Sequence, residues 1–292
     1  MTIIQTRDGT NIYFKEWGPG DGRPVVLIHG WPLSADSWDP QMIALADAGY
    51  RTIAYDRRGF GRSDQPSQGN EYDTYSDDLA DVLKATGADE DVALVGFSMG
   101  GGEIARYMSR HGGKGVSSAV FVSSVAGYML KTPDNPDGVP QETFDEMTKG
   151  MKSDFRKFFT GFFKDFYGRT IKSASPVSDE QLDWAWQTTM HAGLRNILQA
   201  AEAFATTDFR PDLDHVKVPT LVIHGTADKT VPIEATGHVV ADKVPGATLI
   251  EYEGEPHAVF ATQQDRLTRD LLDFLAGEGA GRTKSENLEA PS

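Results

Sequence analysis

The sequence predicts an α/β protein: a mostly parallel sheet of eight strands flanked by helices, with a helical insertion near its middle. Three observations lead there. Short β-branched runs alternate with helical patterns through most of the chain. A Gly-x-Ser-x-Gly turn, Gly96-Phe97-Ser98-Met99-Gly100, sits between one such run and one such helix. The alternation stops between Ala126 and Val216, where helical patterns continue without strands.

The strands come first. Thr2–Thr6 reads as an edge strand beside Thr10–Trp17. Val25–Ile28 is a short apolar run cut off by Gly30, as a strand buried on both faces would be. Arg51–Tyr55, Val92–Val95, Ala119–Val122 and Thr220–Ile223 repeat that pattern, and Thr248–Tyr252 closes the series. Helical patterns lie between them at Ser37–Ala48, Thr74–Thr86, Gly101–Arg110 and Gln264–Phe274. Strands alternating with helices imply βαβ units and a parallel sheet with right-handed crossovers.

The interruption has its own signature. Pro133, Pro136 and Pro140 precede an aromatic run at Phe155, Phe158, Phe159, Phe162, Phe163 and Phe166. Offsets of three, four, seven, eight and eleven place those rings on one face of a helix. Further helices are expected over Asp179–His191 and Leu194–Ala203. The expected organisation is a core of 1–125 and 217–276, a helical cap of 126–216 over the end of the sheet, and a small, polar, disordered tail of 277–292.

Composition limits the function. The 292 residues carry 28 Lys and Arg against 43 Asp and Glu, a formal charge of −15. Such a surface repels nucleic acid and anionic membranes, so neither is expected as a partner. There is no cysteine, hence no disulfide, thiolate nucleophile or Cys-ligated metal. No histidine pair at i, i+4 has a carboxylate nearby, so no metal is expected. The N-terminus lacks the basic and apolar regions of a signal peptide, and no run approaches the ~18 apolar residues of a membrane span. A soluble cytoplasmic protein is the expectation.

The Ser98 turn carries the chemistry. The five-residue pattern alone is weak, so its context decides. A strand, a sharp turn and a helix would expose Ser98 Oγ at the top of the sheet, and flanking glycines permit the close backbone approach this needs. A phosphate-binding loop fails on spacing, since no Gly-x-x-x-x-Gly-Lys-Ser/Thr or Gly-x-Gly-x-x-Gly fits. These features define the α/β-hydrolase fold. Serine needs a general base, and the base needs an orienting carboxylate. In this fold the acid and then the base arrive later, each after a strand. Asp228 follows Thr220–Ile223, and His257 follows Thr248–Tyr252. Either residue alone has an ordinary reading, a turn-capping aspartate or a loop histidine; three residues in the required order at three strand ends are harder to obtain by accident. Main-chain N–H groups of Met99 and Trp31 would hold the developing oxyanion. The Trp31 ring is either an acyl-pocket wall, the preferred reading, or packing. His29 is expected to shape the loop backbone, His111 to meet a helix C-terminus, and His191, His215, His224 and His238 to be turn, surface or core residues.

Four blocks resemble those of the cofactor-free, non-heme bacterial haloperoxidases and their aryl-esterase or perhydrolase relatives: Ile28-His-Gly-Trp-Pro-Leu-Ser34; Tyr55-Asp-Arg-Arg-Gly-Phe-Gly-Arg-Ser63; Gly96-Phe-Ser-Met-Gly-Gly-Gly-Glu103; and His224-Gly-Thr-Ala-Asp-Lys-Thr-Val-Pro232. The resemblance implies a Ser98–His257–Asp228 triad, an oxyanion hole at Trp31 and Met99, and hydrolysis of small aryl and alkyl esters. It also implies perhydrolysis, in which hydrogen peroxide replaces water and the peracid oxidises halide without any cofactor. A trimer or hexamer is implied too. Thr230 stands where the family has a pocket residue, and Phe162 is expected in the pocket roof. Members that perhydrolyse well are similar to this chain in carrying proline at Pro32. That proline restricts Trp31 and can shift a carbonyl toward the deacylating nucleophile. Haloalkane dehalogenases and epoxide hydrolases share the His-Gly-x-Pro loop but use aspartate where Ser98 stands. A lactonase, a carbon–carbon bond hydrolase or a non-catalytic ligand-binding protein of the same fold remain as alternatives.

Overall fold

The computed structural model describes residues 2–171 and 177–277. In chain order its elements are β1 (Thr2–Gln5), β2 (Asn11–Trp17), β3 (Pro24–Ile28), α1 (Asp39–Asp47), β4 (Arg51–Tyr55), α2 (Tyr72–Thr86), β5 (Val92–Phe97), α3 (Met99–Arg110) and β6 (Val116–Val122). Then follow α4 (Gln141–Phe166), α5 (Asp179–Met190), α6 (Leu194–Thr206), α7 (Arg210–Leu213), β7 (Thr220–Gly225), α8 (Gly237–Lys243), β8 (Thr248–Tyr252), α9 (Val259–Thr262) and α10 (Gln264–Leu275). Among the described residues the eight strands form one sheet in the order β1-β2-β4-β3-β5-β6-β7-β8. The β1–β2 and β2–β4 pairs are antiparallel and the remaining pairs parallel. Every residue of β5 and β7 is buried. Helices cover both faces of such strands, so their sequences read as unbroken apolar runs rather than alternations.

Strand order fixes where a ligand can sit. From β3 the chain turns to β4 on one side and later returns to β5 on the other. Loops leaving β3 and β5 therefore diverge, and the carboxyl ends of two such strands are where open α/β sheets generally bind ligands. The register pairs Ile28 with Gly96. The segment from His29 to Pro32 thus starts level with the turn at Ser98.

Two elements start three or more residues before the apolar pattern suggested. β6 begins at Val116 because Ser117 and Ser118 interrupt the apolar run without ending the strand; their hydroxyls accept hydrogen bonds from Arg23 Nη2 at 2.9 and 3.0 Å. The aromatic helix starts at Gln141, and its regular geometry breaks at Asp154 (φ −152°, ψ 87°). Asp154 Oδ1 accepts the Lys157 N–H at 3.0 Å, a cap that starts the aromatic half of α4 where the phenylalanine spacing begins. Phe159, Phe163 and Phe166 are buried, and Phe155, Phe158 and Phe162 are half-buried, as one shared face requires. No helix among the described residues is long and apolar enough to cross a membrane. Of the expected tail, 277–292, all but Gly277 lies outside the described residues.

Candidate active site

Ser98 stands between β5 and α3 with φ 53° and ψ −117°, a left-handed conformation that a serine adopts at a cost of about 1–3 kcal/mol. The neighbouring glycines make that turn possible. A Cβ on Gly96 would lie 2.7 Å from the Gly100 backbone, and one on Gly100 would lie 2.5 Å from the Ile28 carbonyl oxygen. Helix α3 starts at the next residue, Met99, so its positive end faces the hydroxyl.

Three expected residues meet here. Ser98 Oγ donates to His257 Nε2 at 2.9 Å, and His257 Nδ1 donates to Asp228 Oδ2 at 2.6 Å. An acceptor at Nε2 and a donor at Nδ1 define one neutral tautomer, the one needed to receive a proton from serine. All three side chains are buried. His257 packs against Phe97 and Phe166, with ring centroids 5.0 and 4.9 Å away, and those two rings also meet each other at 6.0 Å. Its neighbour Ala258 donates its N–H to the Phe166 carbonyl at 3.1 Å, tying the loop to the end of α4.

Asp228 makes the contacts of both readings, turn cap and partner of the histidine. Oδ1 accepts the N–H groups of Thr230 and Val231, each at 2.8 Å, which caps the turn. Oδ2 faces His257 and, at 3.2 Å, Nε2 of His224. Burial would push this carboxyl up, but the adjacent His257 and hydrogen bonds from both histidines hold it well below the usual carboxylate range. It remains an anion at neutral pH.

The loop after β3 lies against the serine. A Cβ on Gly30 would approach within 2.8 Å of Ser98 Cβ. Among the described residues, neither the Trp31 nor the Met99 N–H has a backbone acceptor. The Trp31 ring is buried against Phe159, Phe162 and Phe204, with centroids 5.3 to 5.5 Å away, and its indole N–H donates to the Ile197 carbonyl at 3.1 Å. The ring thus joins the β3 loop to α4 and α6. Pro32 is buried, and the Trp31–Pro32 peptide is cis. Phe162 lies 5.4 Å from both Trp31 and Phe166. Thr230 touches the site through its backbone, on Asp228. A cavity of about 750 Å³ opens elsewhere, between α4 and α6, and includes none of these residues.

Sequence reasoning missed a buried polar cluster under this loop. Arg57 Nε pairs with Glu103, which also accepts the Tyr55 hydroxyl, and Arg57 Nη2 donates to the His29 carbonyl at 2.7 Å. Its signal was present: a Tyr-Asp-Arg-Arg run at a strand end and a glutamate in an otherwise apolar helix face. His224 on Asp228 was readable only as a turn histidine. His111 closes α3 through its own N–H and meets Asp77 at 2.8 Å, while His238 meets Glu251 at 3.0 Å.

Fold and site together define a class, a hydrolase-type α/β sheet with a serine, histidine and aspartate in line at three strand ends. A profile of the α/β hydrolase fold matches residues 23–263, and the chain belongs to that family. A non-heme chloroperoxidase from Kitasatospora aureofaciens is 44% identical over 94% of this chain and 99% of its own. A bifunctional esterase/perhydrolase from Acinetobacter calcoaceticus is 39% identical over the same shares. A bromoperoxidase from Bacillus anthracis superposes with a TM-score of 0.88 at 39% identity, covering 94% of this chain and all of that one.

Proposed function

We propose that this chain hydrolyses small aryl and alkyl carboxylic esters through an acyl-enzyme on Ser98, and that it also perhydrolyses short carboxylates. The observation that carries this reading is the buried relay from Ser98 Oγ to His257 to Asp228, at 2.9 and 2.6 Å. His257 takes the serine proton as Oγ attacks the acyl carbon. The resulting oxyanion accepts the N–H groups of Trp31 and Met99. His257 then returns the proton to the departing alcohol. Water or hydrogen peroxide next attacks the acyl-enzyme, again losing a proton to His257, which passes it to Ser98 Oγ. The products are a carboxylic acid or a peracid. A peracid with halide and a proton gives the carboxylic acid and hypohalous acid, with no cofactor needed for that step.

Relatives named for chloroperoxidase and for combined esterase and perhydrolase activity support the peroxide branch. Trp31, Pro32, Phe162 and Thr230 belong to the substrate pocket in this reading, and residues 126–216 act as its cap over the core. A cytoplasmic trimer or hexamer completes it, on family resemblance. The test is p-nitrophenyl acetate turnover, with and without hydrogen peroxide, scored for p-nitrophenol and peracid. Wild type should give both products above the uncatalysed rate and Ser98→Ala neither above it. Equal background from the two proteins would indicate a ligand-binding protein instead. Pro32→Leu should lower the ratio of peracid to acid; an unchanged ratio removes Pro32 from the choice of nucleophile.

A further inference from the structure

We propose that His29 is a positioning residue that aims the Trp31 N–H at the oxyanion; this rests on the oxyanion role proposed above for Trp31. The Gly30 carbonyl and the Trp31 N–H belong to one peptide unit. That unit is trans, so the two groups point in opposite directions, and whatever holds Gly30 O also aims the Trp31 N–H. Two donors hold it: the Leu33 N–H at 3.0 Å and His29 Nδ1 at 2.9 Å.

His29 can donate from Nδ1 only if its proton resides there, and the Arg57 N–H, donating to Nε2 at 3.0 Å, favours this over the longer 3.4 Å approach of Arg57 Nη1 to Nδ1. The imidazole is fully buried. Burial, then the positive charge of Arg57, pushes its pKa well below the usual value, so the ring stays neutral with one N–H. The same arginine anchors both halves of the oxyanion site. Its Nη2 holds the His29 carbonyl, and its Nε pairs with Glu103, one helical turn beyond Met99 in α3. The loop bearing one N–H donor is thereby tied to the helix bearing the other.

The test separates orientation from packing. His29→Asn places an amide N–H near the position of Nδ1 and keeps a donor for Gly30 O, while leaving the buried Arg57 N–H without its acceptor. His29→Gln reaches the position of Nε2, satisfies Arg57 and loses the donor to Gly30 O. His29→Gln should therefore melt at or above His29→Asn yet show a kcat on p-nitrophenyl acetate roughly ten-fold lower, with KM little changed. The loss should stay below the ~10²–10³ of removing a donor outright, because Leu33 still holds the carbonyl. Titration with an activated phosphonate normalises for folded enzyme. If kcat instead follows melting temperature, or the two variants are equal, His29 is only structural. Ser98→Ala run beside them keeps the two ideas apart: activity equal to wild type there would sink the acyl-enzyme reading itself. Should the variants not fold, ¹⁵N-histidine spectra of the wild type decide. His29 protonated at Nδ1 alone across the neutral range supports the assignment, and a proton on Nε2 overturns it.

Discussion

Gly30→Ala is the sharpest probe of how closely the β3 loop fits the serine. Gly30 does not have a positive φ, so the backbone itself would accept alanine. Space would not. The new methyl would lie 2.6 Å from Phe97 Cδ1 and 2.8 Å from both Phe97 Cε1 and Ser98 Cβ. Ordinary carbon contacts begin near 3.5 Å, so about 0.7–0.9 Å must be found. Phe97 is packed against Phe260 and His257, with centroids 4.8 and 5.0 Å away, and cannot yield without pushing the base. If the loop yields instead, the Trp31 N–H moves. Displacements near 1 Å cost on the order of 10²-fold in rate. Overpacking costs about 1–3 kcal/mol, partly offset by about 0.4–1 kcal/mol from a stiffer unfolded chain. The melting temperature should fall by only about 0–10 °C, while kcat on p-nitrophenyl acetate, normalised by phosphonate titration, falls about a hundred-fold. A kcat within a few-fold of wild type would refute the claim that this close approach is needed for catalysis.

Asp228→Asn should lower kcat on the order of 10⁴-fold by stabilising the wrong His257 tautomer, read from initial rates at saturating ester. The same variant tests linkage. A carboxyl held below its unfolded value adds stability that is fully present above that value, about 3.9, and is lost as pH falls through the folded one. The gap between wild type and variant in urea unfolding should thus be constant near neutrality and shrink below about pH 4; a gap widening with acid would contradict it. Glu103→Gln should destabilise by about 3–5 kcal/mol, because Arg57 would remain charged and buried without its carboxylate. Replacing the pair together, with Arg57→Met and Glu103→Leu, should cost less in thermal melts than Glu103→Gln alone.

Most of the fold was legible because parallel strands buried on both faces write themselves as short apolar runs. Arg51–Tyr55 and Thr248–Tyr252 match β4 and β8 to the residue. β6 was read short because two serines answer to Arg23, a partner nearly a hundred residues away. The aromatic face of α4 followed from spacing alone, but its start at Gln141 did not, since the turns before Asp154 carry mixed residues whose burial depends on neighbouring helices.

The sequence by itself determined the local chemistry: a serine in a glycine-flanked turn, and an aspartate and a histidine each just past a strand, in the order this fold requires. Those are properties of chain-local geometry and survive in one dimension. Only the tertiary structure decided who faces whom. It set His224 beside Asp228, Phe97 and Phe166 together against His257, and Trp31 among the phenylalanines of α4 and α6. It also placed the His29 ring, expected from sequence to shape the loop backbone, 2.9 Å from the carbonyl opposite the Trp31 N–H. Contacts of this kind join residues remote in the chain, and their direction depends on tautomer, peptide orientation and close packing. No residue pattern encodes these until the chain has folded.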